Sequence, residues 1–86
     1  MYSIVYTKRA NGDIAKLKSS GLDKKAKSLI DILRENPFMS PPTFEKLKGD
    51  LCGAYSRRIN IKHRLVYRVD DDKQTVIIIM MWTHYD

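Results

Sequence analysis

Apolar positions in the N-terminal part of the chain change from a short continuous run to a helical spacing. The run Tyr2–Thr7 is rich in β-branched and aromatic residues and predicts a first strand. Over Lys8–Ser20 the apolar residues fall on one face of a helix that Thr7 can cap and Gly21 can end. That face is formed by Ala10, Ile14 and Leu17.

A second helix has the clearer apolar stripe, with hydrophobic residues at positions i, i+3, i+4 and i+7. Asp23 is predicted to cap its N-terminus, and Pro37 is predicted to stop it. The stripe consists of Ala26, Leu29, Ile30 and Leu33. The prolines between residues 37 and 42 then predict a loop.

The C-terminal half has the two-residue alternation that is typical of β-strands. A short extended segment is predicted at Thr43–Leu47, and a turn follows it at Gly49–Asp50. Three longer strands are then predicted at about Ala54–Ile61, Arg64–Asp70 and Thr75–Thr83, with a polar hairpin at Asp70–Lys73. We therefore expect one α+β domain, residues 1–86, with two helices on one face of a small, mostly antiparallel sheet in the order β-α-α-β-β-β.

Side-chain alternation predicts that basic residues gather on the face of the sheet away from the helices, which we call the open face. The residues expected there are Ser56, Arg58, Asn60, Arg64, Val66 and Arg68. The residues expected against the helices are Tyr55, Ile59, Ile61, Leu65, Tyr67 and Val69. Because a charge is costly in an apolar core, Arg64 should face solvent, an acid or a ligand. Arg57 is in phase with the apolar set, so we expect it near an edge or a bulge.

The last predicted strand is apolar on both faces, which predicts a central position in the sheet. Its alternate residues lead in phase towards the histidine near the C-terminus, in the series Val76, Ile78, Met80, Trp82 and His84. This alternation brings His84 beside the arginines only if no bulge intervenes.

The charge, the cysteine content and the longest apolar run indicate which partners and which cellular compartment are compatible with the sequence. Lys and Arg together number 16 against 10 acids among 86 residues, a net charge of +6 that suits RNA or an acidic protein segment, or equally a solvated basic surface. The single cysteine, Cys52, excludes an internal disulfide and fits a reducing compartment, and no cluster of metal ligands or other cofactor site is evident. The longest apolar run, Val76–Trp82, is too short to span a membrane, so we expect a soluble cytoplasmic protein.

Three residue types in this chain suffice for RNA cleavage without a metal. A base such as Glu45 can take the proton of a ribose 2′-hydroxyl, and an acid such as His84 can protonate the leaving 5′-oxygen. Fixed cations such as Arg64 can stabilise the charge that develops on the phosphate. Taken singly, Glu45 is an ordinary surface acid and His84 an ordinary terminal histidine.

Several short motifs occur in one order along the second half of the chain, from Asn36 to Tyr85. They are Glu45 with Leu47-Lys48, Leu51 and Gly53, then Ser56-Arg57-Arg58-Ile59, His63-Arg64-Leu65-Val66-Tyr67, and His84-Tyr85. This set resembles the YoeB/Txe branch of the RelE-type bacterial toxins. The resemblance implies a RelE-like fold and the activity of a ribosome-dependent mRNA interferase, an endoribonuclease encoded together with an antitoxin.

The resemblance also implies a role for each site residue. Glu45 would be the general base, Arg64 would stabilise the transition state, and His84 would be the general acid with Tyr85 helping to position the substrate. The residues expected to contact RNA are Lys48, Arg57 and Arg58, although Arg57 and Arg58 could instead pair with the acids at 70–72. The implied partners are a YefM/Phd-type antitoxin, the ribosome and mRNA, with a homodimer left open and no membrane partner.

Two other function classes remain compatible with the sequence. A related fold is used by toxins that block DNA gyrase without catalysis, and fold alone does not fix function. A plain RNA-binding module would use the same basic face and leave the RNA intact. Toxicity that is independent of Glu45 and His84 would indicate the first class, and binding without cleavage would indicate the second.

Overall fold

The computed structural model describes residues 1–82, which form two helices and a five-stranded sheet. The strands are β1 (Ser3–Tyr6), β2 (Glu45–Lys46), β3 (Tyr55–Arg58), β4 (Arg64–Asp70) and β5 (Thr75–Met80). The helices are α1 (Lys8–Ser20) and α2 (Asp23–Glu35), and a single 3₁₀ turn occupies Gly49–Leu51. The predicted α+β class and element order are confirmed, with β2 formed by the middle of the extended segment.

The strands lie in the order β1-β5-β4-β3-β2 across the sheet. β1 runs parallel to β5, whereas β5, β4, β3 and β2 are joined by antiparallel pairings. The strand predicted to be central, β5, has neighbours on both sides as expected. The pairing of β1 with β5 places the start of α1 beside the end of the last strand.

The ends of the helices follow local capping chemistry. The Thr7 hydroxyl accepts a hydrogen bond from the Ala10 amide at 3.1 Å, which confirms the predicted cap of α1. Gly21 ends α1 with a φ of 76°, a left-handed conformation that glycine adopts without strain. The prediction that Asp23 caps α2 is wrong, because Asp23 is the first helical residue and the preceding Leu22 makes no side-chain cap.

The apolar faces of both helices pack against one face of the sheet. The buried core cluster comprises Ala10, Leu17, Ala26, Leu29, Ile30, Leu33, Ile59, Leu65, Tyr67, Val76, Ile78 and Met81. The stripe predicted for α2 is therefore confirmed, as are the core positions of Leu65 and Tyr67. Within residues 1–82, neither helix has the length and apolar composition needed to cross a membrane.

β3 is shorter than the predicted strand and ends at Arg58. The Asn60 side chain ends it, because its carbonyl oxygen accepts hydrogen bonds from the amides of Lys62 at 2.9 Å and His63 at 2.7 Å. This turn carries Ile61 away from the helices. The prediction that Ile61 packs in the core is wrong, since the residue is 92% exposed.

A β-bulge interrupts the alternation of β5. Ile78 lies opposite Tyr67, but Met80 lies opposite Val66, so Ile79 is an extra residue in β5. Side chains on opposite partners point to the same face. The bulge therefore moves the even-numbered residues of β5 from the core face at Ile78 to the open face at Met80. The Thr7 hydroxyl donates a hydrogen bond to the Ile79 carbonyl at 2.7 Å and so holds the bulge.

Candidate active site

A cavity of about 190 Å³ lies on the open face of the sheet at the end formed by β2, β3 and the start of β4. It is lined by Pro42, Thr43, Glu45, Ser56, Arg58 and Arg64. Strand register explains why these side chains meet. Glu45 is directly opposite Ser56, and Arg58 is directly opposite Arg64, so each pair projects from the same face.

A carboxylate and a guanidinium lie close together inside this cavity. Arg64 Nη1 lies 3.4 Å from Glu45 Oε2 and 3.4 Å from the hydroxyl oxygen of Ser56. The Arg64 side chain is 18% exposed, whereas the Glu45 side chain is 59% exposed. A pair this open to solvent contributes little to stability, about 1 kcal/mol or less. Because the Glu45 side chain is the more exposed of the two, its carboxylate is accessible to a ligand, whereas most of the Arg64 side chain is covered.

Two further cationic residues are relevant to this site. One lines the cavity, and the other lies a few residues after Glu45 in the sequence. Arg58 is an exposed side chain on the cavity wall, and Lys48 is an exposed residue just before the 3₁₀ turn. In the part of the chain that the structure describes, neither one forms a salt bridge. The Lys48 ammonium and the Arg58 guanidinium are thus accessible to an anionic ligand. His84 and Tyr85, the remaining predicted site residues, lie outside the described residues.

Arg57 does not belong to this surface. Its side chain is 1% exposed and lies on the core side of β3, so the prediction of a position near an edge or bulge is wrong. The guanidinium donates to the Tyr67 hydroxyl at 3.2 Å, to the Pro37 carbonyl at 2.9 Å and to the Pro42 carbonyl. It also lies 5.0 Å from the centre of the Phe44 ring, a cation–π contact. We therefore assign Arg57 to the anchoring of the proline-rich loop and not to RNA contact.

Tyr67 completes this buried network. Its hydroxyl donates a hydrogen bond to the Pro37 carbonyl at 2.9 Å. Burial raises the pKa of Tyr67 above its ordinary value, and the neighbouring Arg57 opposes that change. The loop that forms one wall of the cavity is thus fixed from beneath by an arginine and a tyrosine of the sheet.

Asp13 is a buried acid that the sequence reasoning missed. It is 3% exposed, and its Oδ2 atom accepts hydrogen bonds from the amides of Met81 at 3.0 Å and Trp82 at 3.2 Å. A signal for it exists in the sequence, because Asp13 shares the apolar face of α1 with Ala10 and Leu17. A polar residue at such a position needs a buried partner.

His63 is buried just before the start of β4. It is 5% exposed, and its ring stacks on the Trp82 ring with centroids 3.8 Å apart and planes 19° apart. Trp82 is partly buried and packs against the core. Among residues 1–82 there is no group of three or more His, Cys, Asp or Glu side chains that could hold a metal ion.

Known proteins match most or nearly all of this chain. A family model described as a YoeB-like toxin of bacterial type II toxin–antitoxin systems matches residues 6–85. Toxin YoeB of Streptomyces coelicolor is 42% identical over 62 residues, which cover 72% of this chain and 71% of the relative. The structure of a YoeB/ParE toxin from Agrobacterium tumefaciens has a TM-score of 0.86 at 33% identity, covering 96% of this chain and 99% of that one. A chain of the heterotetrameric YoeB-YefM toxin–antitoxin complex from Staphylococcus aureus has a TM-score of 0.81 at 34% identity, covering 99% of both chains.

Proposed function

The chain belongs to the YoeB family of toxins of bacterial type II toxin–antitoxin systems, and from that membership we propose that it is a metal-independent endoribonuclease that cleaves mRNA on the ribosome. The ribose 2′-oxygen attacks the adjacent phosphorus, and the bond from phosphorus to the 5′-oxygen breaks. The products are a 2′,3′-cyclic phosphate end and a 5′-hydroxyl end. Cleavage of the message inhibits translation.

The observation that chiefly supports this function is the meeting of Glu45 and Arg64 in the cavity. A carboxylate 3.4 Å from a guanidinium gives a proton acceptor and an anion site within one nucleotide of each other. A phosphate bound at Arg64 would bring its neighbouring 2′-hydroxyl within reach of the exposed Glu45 carboxylate. Glu45 would then act as general base, and Arg64 would stabilise the extra charge on the phosphorane-like transition state.

The leaving 5′-oxygen needs a proton, and we assign its donation to His84. Histidine has an ordinary pKa of about 6.5 and can donate a proton near neutral pH. Tyr85 would help to position the substrate, and Lys48 and Arg58 would contact RNA phosphates. The ribosome would supply the orientation of the mRNA, so free RNA should be cut slowly or not at all.

We further propose an antitoxin of the YefM/Phd type as the partner that holds the toxin inactive. The net charge of +6 favours an acidic partner segment. A YefM partner is present in the Staphylococcus aureus complex to which this chain is similar. A disordered acidic segment that folds on binding would cover a broad surface of so small a toxin.

The test is cleavage of mRNA on programmed ribosomes in the presence of EDTA, with the new RNA ends mapped. Glu45→Gln, Arg64→Ala and His84→Gln should each lower the cleavage rate by about 100-fold or more. Lys25→Ala is the control, because Lys25 is an exposed cation on α2 outside the cavity, and it should cleave normally.

Wild-type cleavage by all three site variants would contradict the proposal. A growth assay addresses the alternative of a non-enzymatic toxin. If Glu45→Gln and His84→Gln retain full toxicity, the protein inhibits growth without catalysis. Intact RNA bound with a steep salt dependence would instead identify a simple RNA-binding module.

A further inference from the structure

The buried carboxylate of Asp13 holds the main chain immediately after β5. One oxygen of this side chain receives both the Met81 and the Trp82 amide hydrogens, across 68 and 69 residues of sequence. Hydrogen bonds from amides to an ionised carboxylate are roughly twice as strong as those between neutral groups. The bend that follows Met80 is therefore tied directly to helix α1.

A contribution to stability does not by itself explain a buried carboxylate at position 13. Asp13 is 3% exposed and shares its helix face with the core residues Ala10 and Leu17. Removing a carboxylate from water costs several kcal/mol, which its hydrogen bonds only offset. An apolar residue would fill the same face of α1, but it could not fix the direction of two successive amides.

Three other contacts hold the same short segment. The Met81 side chain is 1% exposed in the core, the Trp82 ring stacks on His63, and the Thr7 hydroxyl binds the Ile79 carbonyl. His63 directly precedes Arg64, the guanidinium in the cavity. The end of β5 is thus fixed both to α1 and to the beginning of the strand that carries Arg64.

We propose that Asp13 is a positioning residue for RNA cleavage, which acts by fixing the peptide groups of Met81 and Trp82 and so directing the chain that leads to His84 and Tyr85. His84 follows Trp82 by two residues, so its approach depends on the orientation of those peptides. This role rests on the nuclease function proposed above. Asp13 itself touches neither substrate nor reacting atoms.

A positioning role predicts a specific kinetic signature. Misplacing a catalytic group by about 1 Å can cost about 100-fold in rate. The RNA phosphates are assigned to Lys48, Arg58 and Arg64, which Asp13 does not contact, so substrate binding should persist. We expect Asp13→Ala to lower kcat by about 100-fold with KM within about two-fold, and Asp13→Asn, which keeps a neutral acceptor, to lower kcat by about 10-fold.

The control is Ile30→Val, which removes one methyl group from the same core and takes no part in the hydrogen bonds between Asp13 and residues 81–82. It should lower the melting temperature but leave kcat unchanged, with all rates measured where each variant is fully folded. If Ile30→Val loses kcat as strongly as Asp13→Asn, or if both Asp13 variants keep normal kcat, the positioning role is overturned.

A second readout does not depend on catalysis. The chain contains two histidines, so the His84 ring resonance can be assigned by comparison with His84→Gln. In both Asp13 variants, hydrogen exchange at the Met81 and Trp82 amides should accelerate by about 10-fold or more, and the His84 ring resonance should shift. If the wild type proves not to cleave RNA, the nuclease function fails, and a His84 resonance that is unchanged in both variants overturns the positioning role separately.

Discussion

The Glu45 carboxylate and the Arg64 guanidinium face each other at 3.4 Å although they are 19 positions apart in the sequence. β3 joins them, because it pairs with β2 on one side and with β4 on the other. Its Ser56 is opposite Glu45 in the register and touches Arg64 through its hydroxyl. A slip of one residue in either pairing would move one of the two side chains to the helix side of the sheet.

Arg58 should bind RNA phosphate without taking part in the chemistry. The side chain is exposed on the cavity wall and has no carboxylate partner among the described residues. Arg58→Ala should therefore raise KM and reduce the slope of log affinity against log salt by about 1, since one phosphate contact is lost. Cleavage over a range of salt concentrations measures this, and Lys25→Ala should leave the slope unchanged. A slope that is identical in Arg58→Ala and wild type would exclude the contact.

Arg57 and its neighbour Arg58 should respond in opposite ways to the same conservative substitution. Lysine cannot reach the three acceptors that the buried Arg57 guanidinium binds, so Arg57→Lys should cost about 2–4 kcal/mol of the free energy of unfolding. Arg58→Lys, at an exposed position, should stay within about 0.5 kcal/mol of wild type. Urea denaturation of both variants provides the comparison. Equal stabilities would mean that the buried network adds nothing to the fold.

Two glycines should show opposite effects on stability when replaced by alanine. Gly53 has a φ of 91°, and a Cβ atom there would lie 2.9 Å from Arg68 Nη1, which donates to the Cys52 carbonyl. Gly53→Ala should therefore destabilise the protein by about 1–2 kcal/mol. Gly12 lies within α1 with open space around it, so Gly12→Ala should stabilise by about 0.5–1 kcal/mol. Thermal denaturation would contradict this account if both variants moved in the same direction.

Tyr67 should make the stability of the protein depend on alkaline pH. Burial raises the pKa of Tyr67, so the folded state disfavours the phenolate that the unfolded chain forms at about pH 10. Its stabilising contribution is complete below that pH and is lost as the pH rises through the folded-state pKa. Tyr67→Phe should lose about 1 kcal/mol at neutral pH and then decline less than wild type above about pH 10. Denaturation at several alkaline pH values would refute this if the two curves stayed parallel.

The sequence is sufficient to predict features that depend only on residues close to one another in the chain. The stripe of α2 and the cap at Thr7 lie within a few residues of one another, and both are confirmed. β3 ends earlier than alternation predicts, because the Asn60 side chain competes with the strand for backbone amides. Alternation alone does not reveal that turn, so it predicts the wrong environment for Ile61.

The candidate site was predicted in part, and its errors have a common physical origin. Alternation correctly places Ser56, Arg58 and Arg64 together, because every second side chain of a strand points to the same face of the sheet. It also correctly put Arg57 on the other face but could not reveal the loop that covers it. The roles of Arg57 and Asp13 depend on backbone groups more than 14 residues away, which no local pattern in the sequence specifies.

The bulge at Ile79 has a consequence for the evolution of this segment. Because one surplus residue decides which side of the sheet Met80 faces, the length of β5 is constrained more tightly than its composition. Apolar exchanges at the partly buried Ile77 or Ile79 should be tolerated among relatives. Deletion or duplication of a single codon there should be selected against, since either change would move the side chains that follow it to the opposite face of the sheet.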